Sequence, residues 1–131
     1  MSITDVNVLV LFSMIFMHTI ADFRTQGILT SMKSIKWWKN NYPDKLYQYD
    51  WIMSLFIHAF QWTFMITIPG VIYWIIYSEF NLAYYLILVV VNTIIHMLID
   101  HSKANLNNIN LIIDQICHIL QIIGSFIVFV N

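Results

Sequence analysis

The sequence predicts an all-α, polytopic membrane protein: a four-transmembrane-helix bundle with a short interfacial helix after the first span. Three observations carry this. The chain is 60% hydrophobic and only 10% charged, against about 25% charged for a soluble domain, so it has too few charges to cover a water-facing surface. Four apolar stretches, each near the length a helix needs to cross about 30 Å of hydrocarbon, fill most of its 131 residues. Lys and Arg are confined to two of the connections between those stretches, the pattern of a polytopic chain oriented by its basic loops.

A single transmembrane domain over residues 1–131 follows, with spans at about 4–21, 51–77, 82–100 and 109–130. The first span is read as retained, because it lacks the basic start and small-residue cleavage site of a signal peptide. Its helix is expected to run on to Gln26, with Gly27 as its stop. Residues 24–50 form a cytoplasmic amphipathic loop. Within it, residues 28–39 fit one short helix in the headgroup region, with Trp37 and Trp38 at the interface and Lys33 and Lys36 reaching outward. Pro69–Gly70 interrupts the long second span, predicting a kink or an early end. Residues 78–81 are a tight turn. Cys117 is the only cysteine, so no intrachain disulfide exists.

Arg24, Lys33, Lys36, Lys39 and Lys45 lie in the first connection and Lys103 in the third. The positive-inside rule then puts both connections in the cytoplasm and both termini outside. The net charge of -1 leaves no electrostatic footprint for nucleic acid. The expected partner is the lipid bilayer of a bacterial inner membrane, and the apolar surface of four helices leaves room for a homo-oligomer.

Against this apolar background a polar pattern recurs. His18/Asp22, His96/Asp100 and Asp114/His118 are each four residues apart, which puts both members on one helix face. Random placement of the five histidines would give about 0.5 such pairs, although amphipathic helices raise that number. His58 falls in the second span. With the interface near Asp22, Asp50, Asp100 and Asn108, His18, His58, His96, Asp114 and His118 lie about 6 to 15 Å inside one leaflet. Each span contributes at least one of them, so they can converge only in the bundle centre or in a cavity open to the cytoplasm.

A histidine supplies a neutral nitrogen and an aspartate a hard oxygen, a set suited to zinc or a similar divalent ion. The candidate metal ligands are His18, Asp22, His58, His96, Asp100, Asp114 and His118. They are too many for one tetrahedral site and enough for one or two ions. Asp100 and Asp114 are candidate general bases, and Lys103 would steady an anionic product. Arg24, Gln26, Gln61, Gln115 and Gln121 are candidate substrate or supporting hydrogen-bond groups. The expected substrate is a lipid-borne or amphiphilic ester or phosphoester. Two other readings use the same residues: a proton- or ion-translocating protein, and a structural or accessory protein whose His/Asp pairs hold the helices together.

Three motifs carry a resemblance. His18-Thr-Ile-Ala-Asp22-Phe23-Arg24-Thr-Gln26, His96-Met-Leu-Ile-Asp100-His101-Ser-Lys103 and Asp114-Gln115-Ile-Cys-His118 resemble the His-x3-Asp-Phe-x2-Gln, His-x3-Asp-x2-Lys and Asp-Gln-x2-His motifs of a family of small bacterial and phage four-helix membrane proteins of unknown function. His58 matches that family's histidine in the second helix, and Lys33 or Lys36 its lysine after the first motif. More remotely, the His-x3-Asp helices are similar to those of membrane-bound metal-dependent hydrolases and of zinc-dependent phospholipase C. The resemblance spans nearly the whole chain.

Overall fold

The structure, a computed structural model, describes residues 2–131. Four helices are long and apolar enough to cross a membrane: α1 (Ile3–Phe23), α4 (Asp50–Tyr77), α5 (Leu82–Ala104) and α6 (Leu111–Val130). Two short helices, α2 (Leu29–Met32) and α3 (Ile35–Asn41), and a 3-10 turn at Lys45–Tyr47 fill the first connection. There is no strand among the described residues. The chain is thus an all-α bundle of four long apolar helices, with short non-spanning helices after the first.

The ends of the long helices follow local chemistry. Ser2 caps α1 by accepting from the Asp5 amide at 3.2 Å while Asp5 Oδ2 accepts from the Ser2 amide at 2.8 Å, a reciprocal capping box. Asn81 and Asn110 cap α5 and α6 through the amides of Tyr84 and Ile113. Pro69 lies inside the unbroken helical run of α4. At 28 residues, α4 is about 42 Å long, so it overhangs the hydrocarbon.

The expected continuation of α1 to Gln26 does not form. The helix ends at Phe23, where the Gln26 side chain folds back onto the Asp22 carbonyl, and Gly27 turns the chain with φ 50°. The single helix expected over residues 28–39 is instead two helices broken at Ser34, whose backbone is extended. Asn105 explains the break: its Oδ1 accepts from the Ile35 amide at 2.7 Å and its Nδ2 donates to the Lys33 carbonyl at 3.1 Å. The outward Lys33 of the sequence reading is corrected too, since it is buried and points into the bundle.

α4 packs on α1, α5 and α6, and α6 also contacts α1 and α5. The buried stripes run lengthwise: Val6, Val10, Met14 and His18 on α1; Val89, Asn92, His96 and Asp100 on α5; Asp114, His118, Ile122 and Phe129 on α6. Each changes from apolar to His/Asp toward the same end of the bundle. At the other end Trp74 packs against Phe129, and Gly70 gives the Phe129 ring a place that a Cβ would fill. The outward faces are apolar, as lipid contact demands: Leu9, Phe12 and Phe16 on α1 and Ile87, Val90 and Ile94 on α5 are exposed.

Candidate metal centre

Six side chains from the four long helices meet at one level: Asp22 from α1, His58 from α4, His96 and Asp100 from α5, and Asp114 and His118 from α6. Three overlapping groups, Asp22/His58/His96, His96/Asp100/His118 and Asp22/Asp114/His118, each present ligand atoms within 4.8 Å of one another. Helical spacing of four aims both members of a pair inward, and the packing of α4 against its three neighbours closes the ring. His58, His96, Asp100, Asp114 and His118 are each no more than 1% exposed.

The centre of the cluster is His118. Its Nε2 lies 3.5 Å from Asp100 Oδ1 and 3.5 Å from Asp114 Oδ1. Among the described residues neither ring nitrogen of His118 has a hydrogen-bond partner, and nor does Asp114 Oδ1. Buried polar atoms are nearly always paired, so these three orphans, with His96 Nδ1 as a fourth, are informative within one cluster. Ligands about 2.0–2.1 Å from a tetrahedral zinc are about 3.3–3.4 Å apart, close to the two distances here. Gln121 Oε1 and Asn7 Oδ1 are also unpaired, but each lies outside the cluster.

A second set flanks the first. His58 Nε2 is 3.0 Å from His96 Nε2, 2.9 Å from Asp100 Oδ2 and 3.8 Å from Asp22 Oδ1. Asp100 thus turns one oxygen to each set, as a carboxylate shared between two cations would. These clusters are capable of coordinating a divalent metal.

His18, the seventh expected ligand, is engaged otherwise. The Trp62 indole N–H donates to His18 Nδ1 at 2.8 Å, and Gln115 Oε1 lies 3.0 Å from His18 Nε2. An indole can only donate, so Nδ1 accepts and Nε2 carries the proton that goes to Gln115. With both nitrogens taken, His18 orients Gln115, whose Nε2 donates to Asp22 Oδ2 at 2.8 Å and to Asp114 Oδ2 at 3.1 Å. Gln26 donates to Asp22 Oδ1 at 2.7 Å. The carboxylates are fixed from behind, as metal-ligating side chains require.

Lys103 Nζ donates to Asp114 Oδ2 at 2.6 Å. Arg24 is exposed. Gln61 donates to Thr25 at 3.2 Å on the bundle exterior. Gln121 donates to the Asn92 carbonyl at 2.7 Å, farther along α6. The last three stand apart from the cluster.

Two further participants are Trp62, which the sequence reading does not name, and Lys33, which it names only as one of two candidate lysines after the first motif. Trp62 is fully buried and stacks on His96, ring centroids 4.2 Å apart. Its place four residues after His58 is a signal that it shares the polar face. Lys33 Nζ donates to Asp100 Oδ2 at 2.7 Å with its side chain only 10% exposed. The first motif leaves it level with Lys36, and what singles it out is a partner 67 residues away.

No family model matches the chain, and neither the curated proteins nor the solved structures hold a match to it. The fold and the cluster define a class: a small all-helical protein with four membrane-spanning helices and buried His/Asp clusters that can bind a metal ion.

Proposed function

We propose that the chain is a membrane-embedded, zinc-dependent hydrolase acting on a lipid-borne or amphiphilic ester or phosphoester at the cytoplasmic leaflet. The observation that carries this reading is the meeting of His118 Nε2 with Asp100 Oδ1 and Asp114 Oδ1 at 3.5 Å each, with no hydrogen bond between them. The basic residues of the first and third connections support a cytoplasmic position for the cluster, with both termini outside. The three motifs support kinship with the small bacterial and phage membrane family and residence in a bacterial inner membrane.

A divalent ion held there would polarise the ester and ease deprotonation of a water. Asp100 or Asp114 would take the proton, on the oxygen that does not hold the ion, as the water oxygen bonds to phosphorus or the carbonyl carbon. The bond to the alcohol oxygen breaks, and that oxygen receives the proton. Lys103 and Gln115 hold the Asp114 carboxylate in place. A second reading, helix packing alone, is supported by the buried Lys33–Asp100 pair and the part-buried Lys103–Asp114 pair, which offset two of the three aspartates without an ion.

Elemental analysis of detergent-purified protein, prepared without chelator, separates the two. Hydrolase predicts about one or two equivalents of zinc; less than about 0.2 equivalents of any transition metal favours packing. His118→Ala should then abolish both metal retention and turnover of labelled phospholipids while the protein stays folded. Metal-loaded wild type that is inert against a broad ester and phosphoester panel would refute the enzymatic reading.

A further inference from the structure

Lys33 and Lys103 do more than neutralise carboxylates. An ammonium has three N–H donors, and each of these lysines has one acceptor among the described residues: Asp100 Oδ2 for Lys33 and Asp114 Oδ2 for Lys103. Lys33 is 8% exposed, so little of it is open to solvent. Both ammoniums approach the Oδ2 side of their carboxylates, and the Oδ1 atoms turn toward His118. The two carboxylates that face His118 with one oxygen thus each carry an ammonium on the other.

Charge points the same way. Asp22, Asp100 and Asp114 against Lys33 and Lys103 leave a formal charge of -1 with neutral imidazoles, the form that binds metal. One divalent ion turns that into +1, and two turn it into +3. A positive excess is costly in a buried membrane site unless an anion offsets it. Lysine binds phosphate as a point charge, and a phosphate oxygen can accept from an ammonium while another reaches a metal ion.

We infer that the ligand of the metal-loaded site is a phosphate anion, held between the ion at His118 and the free N–H groups of Lys33 and Lys103. This rests on the metal reading above and narrows its substrate class from esters in general to phosphoesters. The anion is either the phosphodiester of a lipid headgroup or a soluble phosphate. Lys103, with a side chain 31% exposed, is the most open of the charged pair members and marks the side of entry.

The test titrates detergent-purified protein, zinc-loaded and zinc-free, with inorganic phosphate and with short-chain phosphatidylglycerol by calorimetry, with zinc content measured on the same samples. The inference expects at least tenfold tighter binding of one of the two when zinc is present. Tighter binding of the lipid assigns the headgroup source, and tighter binding of phosphate the soluble one. Lys33→Gln should keep its zinc and lose at least tenfold in that affinity, and Lys33→Arg should recover most of it. If Lys33→Gln does not fold, Lys103→Gln provides the same comparison at the more exposed site. Zinc-loaded protein that binds neither probe, or a lysine-to-glutamine variant that binds as tightly as wild type, overturns the inference and leaves the metal reading standing. Absence of zinc uptake removes both.

Discussion

The two ends of the bundle use the same four helices and the same buried stripes for opposite ends. Above Trp62, Val10, Met14, Ile66, Ile122 and Phe129 fill the centre. The polar groups at that level bind helix to helix: Ser125 donates to Asn92 Oδ1 at 3.1 Å and Gln121 to the Asn92 carbonyl. Below Trp62 the positions along the stripes become His18, His58, His96, His118, Asp100 and Asp114, and some of their atoms have no partner among the described residues. In lipid, apolar helix faces gain little from meeting each other, so bundles are held by close packing and interhelical hydrogen bonds. The apolar end does this. The polar end gathers ion pairs and then leaves ligand atoms over, an arrangement that stabilises poorly by itself and suits an external cation.

The division can be broken at either end. The largest effect is expected from Asp100→Ala. It strands Lys33 and removes the oxygens that face His58 and His118. Loss of one partner from a buried ion pair costs about 3–5 kcal/mol, read as a lower unfolding midpoint in detergent, with metal content falling to background. An unchanged midpoint would mean that the polar end contributes nothing to the fold.

Gly70→Ala probes the other end. The added Cβ collides with the Phe129 ring, and overpacking of this kind costs about 1–3 kcal/mol. Metal content should stay at the wild-type value, and a parallel fall would show that the two ends are one cooperative unit. The smallest effect belongs to Gln121→Leu. It removes the donor to the Asn92 carbonyl, and interhelical hydrogen bonds in membranes average about 0.6 kcal/mol. Its unfolding midpoint should sit close to wild type, again with full metal content. A loss of metal in this variant would extend the site along α6.

Much of this could be read locally. Each long helix announces itself as a run of apolar residues, because a helix in lipid satisfies its own backbone and needs only an apolar exterior. The pairs His18/Asp22, His96/Asp100 and Asp114/His118 were legible because a spacing of four is a property of one helix. Their meeting followed from cost, since ionisable groups in a membrane have nowhere else to go.

Tertiary structure decided what depends on the rotation of one helix against another. The Trp62 indole occupies His18 Nδ1 from 44 residues away, which makes that histidine an orienting group. Asn105 breaks the helix expected across residues 28–39 by taking up backbone groups of Lys33 and Ile35, and so turns Lys33 inward. Gln115 joins the cluster while Gln121, six positions along the same helix, binds α5 above it. The sequence by itself determined the four helices and which of their faces are polar, because those depend on each residue's neighbours along the chain. Which polar atoms pair and which are left over was decided only by tertiary structure, because a hydrogen bond depends on distances of about 3 Å that no spacing along the chain can specify.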